Sequence, residues 1–194
     1  MAKEKNTKRA ILQKGLEMAS HLSLEALTFG ELAKEMKMSK SGLFAHFQSK
    51  ENLQLDILNY AAQQFTEEVI LPSLKVERGI PRIRAMVNNW IKWGSKLGGG
   101  CIFVDSTTEF NDRPGNIQNL LFAQQKRWVD ILRRIGESAV KSGDLQPDCD
   151  CEQFAFDLYC LILGYYYYDQ LIKDPKIEER VQKSFNHFLK TYSI

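Results

Sequence analysis

The sequence is short of the features that announce an exported, membrane-spanning or catalytic chain. Its opening residues, Met1-Ala2-Lys3-Glu4-Lys5, are polar, so no secretory signal is expected there. The longest apolar run, residues 154–168, contains Asp157 and is too short and too polar for a membrane span. There are only four cysteines, Cys101, Cys149, Cys151 and Cys160, and without an export signal they read as reduced thiols. Cys149-Asp150-Cys151 could be half of a thiolate site, but it has no second ligand pair nearby, so no metal is expected. Cys101, beside three glycines, is the better redox candidate. A phosphate loop, a nucleophile elbow and a helix with paired metal ligands are all missing. We therefore expect a soluble cytoplasmic protein that is not an enzyme and carries no cofactor.

What is present is a globular balance, 44% hydrophobic and 26% charged, with an uneven distribution of charge. The formal net charge of +2 divides into +4 over residues 1–50 and −2 over residues 51–194. No acid lies between Met36 and Lys50. A basic N-terminal end on a near-neutral body points to a polyanionic partner. Apolar residues recur at helical spacing almost everywhere: Ile11, Gly15, Met18, Ala19 and Leu22; Ile57, Leu58, Ala61, Phe65 and Val69; Ile83, Met86, Val87, Trp90 and Leu97; Ile177, Val181, Phe185, Phe188 and Tyr192. Only Ile102, Phe103 and Val104 leave a short strand open. The class expected is all-α, punctuated at Pro72, residues 79–81, 98–100, 114–115 and 143–147, and Pro175.

The first fifty residues carry clear helix starts. Thr28-Phe29-Gly30-Glu31 is a capping box, in which Thr28 accepts from the Glu31 amide and Glu31 reaches back to the Thr28 amide. Leu27 and Leu32 flank it as a hydrophobic staple. Eleven residues on, Ser39 caps a second helix, with Met38 and Leu43 as its staple. Two short helices, about residues 29–36 and from residue 40, joined by a tight turn, make a helix-turn-helix. Leu43 and Phe47 should face the core with Phe29, Leu32 and Ala33. Lys40, Ser41, Gly42, Phe44 and His46 then face solvent or a ligand, with Lys40 and Ser41 in the first turn, the part of a recognition helix that reaches base edges. Gly42 costs the helix about 1 kcal/mol against Ala, and its use would be close approach to a duplex. Ser49 caps the next helix, placing Lys50 beside amides that suit phosphate. On spacing alone two readings stand, DNA binding or a solvated cationic face.

Three clusters then carry a resemblance: Arg9-Ala10-Ile11-Leu12; Thr28, Glu31, Leu32 and Ala33; and Ser39-Lys40-Ser41-Gly42-Leu43-Phe44 with His46, Phe47, Lys50, Glu51 and Leu53. Over about residues 8–55 the chain resembles the N-terminal domain of the TetR family of bacterial regulators. The resemblance implies a three-helix DNA-binding head, residues 1–52, and a helical effector-binding and dimerisation body, residues 53–194, released from double-stranded operator DNA by a small inducer. It implies phosphate contacts from Thr28 and Lys50, groove positions for Lys40, Ser41 and Gly42, and bracing of the DNA backbone by Phe44 and His46. Ser23 and Lys37 stand where the family usually has Gly; a positive φ at Lys37 would strain the turn. Phe44 replaces the family's Tyr, so one hydroxyl-to-phosphate bond is lost and affinity leans on Lys37, Lys40 and Lys50. With Ser39 as cap, these complete the expected DNA-binding set. Residues 99–103 and 109–115 resemble one branch of the same regulators without naming a ligand.

The body is rich in aromatics, and each is open to two readings, core filling or pocket lining. Gln124 falls on the apolar stripe of Ile117, Leu121, Trp128, Leu132 and Ile135, where a buried amide needs a partner. The glycines at 98–100 and Pro114-Gly115 bracket a segment that could act as a lid. The expected lining of a mostly apolar effector site is Trp90, Trp93, Cys101, Phe110, Gln124, Trp128 and Tyr159. The helix over residues 154–168 is apolar on every side and must be covered all round, which suggests a homodimer through the C-terminal helices. The rival readings are a DNA-binding regulator without a small inducer and a small helical enzyme whose head is only structural.

Overall fold

The computed structural model of the chain describes residues 2–194, with side chains from Asn6 onward; the polar Met1 to Lys5 segment, expected to carry no export signal, lies outside the side chains described. The chain is helical throughout: α1 (Ala2–Leu22), α2 (Phe29–Glu35), α3 (Lys40–Phe47), α4 (Lys50–Phe65), a π turn (Thr66–Ile70), α5 (Leu71–Leu74), α6 (Ile80–Lys96), α7 (Ile102–Phe110), α8 (Asn116–Lys141), α9 (Cys151–Tyr167), a second π turn (Tyr168–Ile172) and α10 (Ile177–Tyr192). The strand left open at Ile102, Phe103 and Val104 is the first turn of α7, with the amides of Val104 and Asp105 bonded back to the Cys101 carbonyl. Three apolar residues between a glycine turn and a polar segment satisfy more backbone groups as a helix start than as an unpaired strand. Among the described residues, no helix is long and apolar enough to cross a membrane.

The residues form two compact units, residues 1–65 with 95–123 and residues 66–94 with 124–194. In the first, α1 lies against α2, α4 and α7. Gly15 permits the α1–α4 contact, because a Cβ there would stand 2.8 Å from Ile57 Cδ1. The apolar faces read from the sequence are buried at Ile11, Gly15, Ala19, Leu32, Leu43, Phe47 and Ile57, whereas Leu22 at the end of α1 is exposed. The turn at residues 98–100 is a tight joint. Ser20 Oγ donates to the Leu97 carbonyl at 3.1 Å, and a Cβ on Gly99 would stand 1.8 Å from the Ser20 carbonyl oxygen. Only a glycine lets the two backbones pass so closely.

In the second unit, α9 packs along α10. Phe154, Phe188 and Tyr192 stack with centroids 5.0–5.3 Å apart, and Phe185 continues the row against Phe188. Asp150 caps α9 by accepting from the amides of Glu152 and Gln153. Tyr166 reaches α6, donating its hydroxyl to the Trp90 carbonyl at 2.7 Å. Gly94 makes room for that ring, since a Cβ there would fall 2.0 Å from Tyr166 Cε1. Gly94→Ala should therefore cost about 1–3 kcal/mol by overpacking. A chemical melt measures it, and an unchanged midpoint would show that the ring can swing aside.

Candidate DNA-binding surface and effector region

The head is built by its helix ends. Thr28 caps α2 by accepting from the Glu31 amide at 3.2 Å. The return half of the box differs from expectation: the Glu31 carboxylate accepts from the Thr28 hydroxyl at 2.8 Å rather than from the Thr28 amide. The hydroxyl, with one donor and spare lone pairs, can serve both groups at once. Helix α2 then ends in a Schellman turn, Lys37 N–H to Lys34 carbonyl at 3.2 Å and Met38 N–H to Ala33 carbonyl at 2.9 Å. Lys37 is its left-handed residue, at φ 53°. Ser23 ends α1 with the simpler left-handed cap, at φ 88°, its amide on the Ala19 carbonyl at 3.0 Å. The two positions where the family prefers glycine are thus held left-handed by L-residues.

Ser39 caps α3 by accepting from the Gly42 amide at 3.1 Å, and its hydroxyl lies 3.3 Å from that of Ser41. Leu43 and Phe47 turn inward and are buried. Thr28, Lys37, Ser39, Lys40, Ser41 and Phe44 are exposed, while Gly42, His46 and Lys50 are half-buried. Phe44 leans on Phe29 with centroids 5.4 Å apart, which fixes the direction in which its exposed edge points. Gly42 also has a reason inside the protein: a Cβ there would stand 3.0 Å from Ser39 Oγ and press on the cap. Ser49 caps α4 through the Asn52 amide at 3.1 Å. Lys50 does not project freely. Its ammonium donates to the Glu25 carbonyl at 2.5 Å and stands 3.6 Å from the Glu25 carboxylate.

Of the expected effector-lining residues, Trp90, Trp128 and Tyr159 come together in the second unit. Trp90 meets Trp128 edge-on at 4.9 Å and stacks on Tyr159 at 6.0 Å. Trp93 is buried on the same helix, and Gln124 is half-buried at the head of the α8 stripe. Cys101 and Phe110 are buried in the first unit, at either end of α7. Two groups that the sequence reading passed over join the aromatic cluster. Gln125, not Gln124, accepts from the Tyr159 hydroxyl at 2.9 Å, and Tyr166 packs against Trp90 at 6.3 Å. Which of two adjacent glutamines meets a ring 34 residues on depends on helix rotation, which apolar spacing fixes only to within a residue.

Helix α7 carries further chemistry without a local motif. Burial, with Glu109 one turn on, raises the Asp105 carboxyl to about 6. Ser106 is fully buried, with no hydrogen-bond partner among the described residues for its hydroxyl. Burial pushes the Cys101 thiol up to about 11, which leaves it protonated and a poor nucleophile near neutrality. Cys149 is likewise raised to about 11, by burial first and then by its neighbour Cys151. Among the described residues, no group of three or more His, Cys, Asp or Glu side chains could hold a metal ion.

Comparison with known proteins places this architecture. Residues 11–67 match the family described as bacterial regulatory proteins, tetR family, and residues 79–185 match the tetracyclin repressor-like C-terminal domain. The chain is 24% identical over 164 residues to the HTH-type transcriptional repressor ComR of Escherichia coli K12, covering 80% of this chain and 75% of that one. A TetR transcriptional regulator from Chloroflexus aurantiacus J-10-FL superposes with a TM-score of 0.86 at 17% identity, over 98% of this chain and 96% of that one. AibR, solved in complex with isovaleryl coenzyme A and operator DNA, superposes with a TM-score of 0.68 at 26% identity, over 82% of this chain and 85% of that one. Both the helix-turn-helix region and most of the remaining chain are accounted for in one order, and the chain belongs to the TetR family of DNA-binding transcriptional regulators, whose members are not enzymes.

Proposed function

We propose that this protein is a cytoplasmic, homodimeric repressor, with residues 1–52 as its DNA-binding head and residues 53–194 as its effector-binding and dimerisation body. The observation that carries the reading is the exposed face of α3. Lys37, Lys40 and Ser41 stand outward over a sealed core of Leu43 and Phe47, and the stretch between Met36 and Lys50 holds no acid to repel phosphate. Lys40, Ser41 and Gly42 enter the major groove, while Thr28, Lys37, Ser39, Phe44, His46 and Lys50 hold the DNA backbone. Repression rather than activation follows the relative ComR, a transcriptional repressor.

Dimerisation is supported by an apolar stripe along one face of α9 and the π turn that continues it. Phe156 is 59% exposed, Tyr167 54% and Leu171 80%, at spacings that keep them on one side of the helix. Beside them runs a groove of about 330 Å³ between α9 and α10, lined by Leu161, Tyr165, Tyr168, Ile177 and Val181. A second copy covers such a stripe and sets the two recognition helices roughly 34–36 Å apart, one turn of the duplex. The effector is small and mostly apolar, binding within the second unit among Trp90, Trp93, Gln124, Trp128 and Tyr159. AibR's complex with isovaleryl coenzyme A makes short acyl thioesters the first compounds to try.

Three outcomes are expected. Lys50→Ala weakens binding to every duplex alike, whereas Lys40→Ala or Ser41→Ala changes sequence preference at one operator position by about 1–3 kcal/mol; anisotropy titrations of operator and scrambled duplexes separate the two. Phe156→Asp yields monomers that lose operator affinity, read by sedimentation velocity, and a dimer that survives this change would remove the α9 stripe from the interface. Short-chain acyl thioesters quench tryptophan fluorescence and raise Tm, while free coenzyme A does neither. No response across the series would favour a regulator without a small inducer.

A further inference from the structure

Glu25, in the turn between α1 and α2, is bonded in three directions. Its amide donates to Glu109 Oε2 at 3.0 Å, near the end of α7. Its carbonyl accepts from Lys50 Nζ, and its carboxylate is shared by two cations, Lys50 Nζ at 3.6 Å and Arg113 Nη1 at 3.7 Å. The second carboxylate oxygen accepts from Gln54 Nε2 at 3.1 Å, and the same amide nitrogen donates to the buried Leu24 carbonyl at 3.0 Å, which anchors the arrangement to α4. Arg113 is itself fixed to α7, its guanidinium 5.6 Å from the ring centre of the buried Phe110. A rotation or slide of α7 would therefore move both Glu109 and Arg113 against the one residue that holds Lys50.

The electrostatics give that linkage a sign. A carboxylate divided between two cations holds each less firmly than it would hold one. Lys50 is also the ammonium that must turn toward phosphate for the head to grip DNA. When Arg113 occupies Glu25, Lys50 is easier to release; when Arg113 is drawn away with α7, Glu25 closes on Lys50 and competes with the phosphate.

We propose that Glu25 is a positioning residue for Lys50, and that Arg113, carried by α7, sets how strongly Glu25 withholds Lys50 from DNA. This rests on the reading of Lys50 as a phosphate contact. It names the residues through which α7 acts on the head, and it requires no knowledge of the effector.

The test is a double-mutant cycle on the full-length chain, titrated against a random-sequence duplex over a range of salt. Thermal melts check that each variant is folded. Lys50→Ala comes first: if it leaves affinity and salt slope unchanged, the phosphate reading itself fails. If it weakens binding and lowers the salt slope by about one ion, the cycle decides the rest. Arg113→Ala should weaken binding about threefold in the native background, as expected for a partly exposed ion pair. In the Glu25→Gln and Lys50→Ala backgrounds the same change should have no effect. Glu25→Gln alone should tighten binding about threefold and Lys50→Ala should abolish that gain. Equal effects of Arg113→Ala in all three backgrounds would show the guanidinium acting on DNA directly, and would overturn the proposal.

Discussion

The turn at Lys37 is the constraint on which the recognition surface depends. Helix α2 must stop within one residue and α3 must start two residues later, or Leu43 and Phe47 would not meet Phe29 and Leu32. A Schellman turn achieves this by satisfying two orphan carbonyls, and it requires a left-handed residue at its apex. Glycine would do so without strain. Lysine at φ 53° costs about 1 kcal/mol but places a cation beside Lys40. The head thus exchanges a little stability for charge at a site where Phe44 has given up a hydroxyl. Ser23, at φ 88°, offers no such charge, but its hydroxyl accepts from the Ala26 amide at 3.2 Å, a bond that glycine could not make.

Behind that surface, the head is not insulated from α7. At Gly99, where a Cβ would collide with the Ser20 carbonyl, the backbones of α1 and the 98–100 turn are in direct contact. The Ser20 hydroxyl on the Leu97 carbonyl and the Glu25 amide on Glu109 bracket α7 at both ends. The glycine-bounded segment thus touches the head at two points. Glycine here serves close approach rather than flexibility, and a glycine run alone does not distinguish the two.

Much of the fold was legible because it rests on local periodicity. The stripes of α1, α4, α6 and α10, the caps at Thr28, Ser39 and Ser49, and the left-handed turn at Lys37 are each encoded within a few residues. The exposed face of α3, with Lys40, Ser41 and Phe44, was legible because it is set by the spacing of Leu43 and Phe47 within one short helix. It was not legible where a group acts through a distant partner. Glu25 meets Lys50, Glu109 and Arg113 across separations of 25 residues or more, and the pattern around it is that of any solvated turn. Asp105 and Ser106 were silent for the same reason: their burial depends on what packs over α7, not on their neighbours in sequence.

The division of charge gains a meaning from this arrangement. A basic head would grip any duplex if its cations were all unopposed, and release would then require a large conformational change. Among the cations of the head, Lys37 and Lys40 stand exposed, but Lys50 is already committed to Glu25 inside the protein. Exposed charges set a salt-dependent baseline that no effector alters. A half-buried charge held by a carboxylate that another residue can claim is adjustable by movements of an ångström. In the proposed dimer, with two heads, a threefold change at each would multiply to about tenfold on a symmetric operator, near 1.4 kcal/mol. That lies within the range of coupling by which one ligand typically shifts the affinity for another. On this proposal the head is regulated by reassigning a single ion pair, with the recognition helix itself left intact.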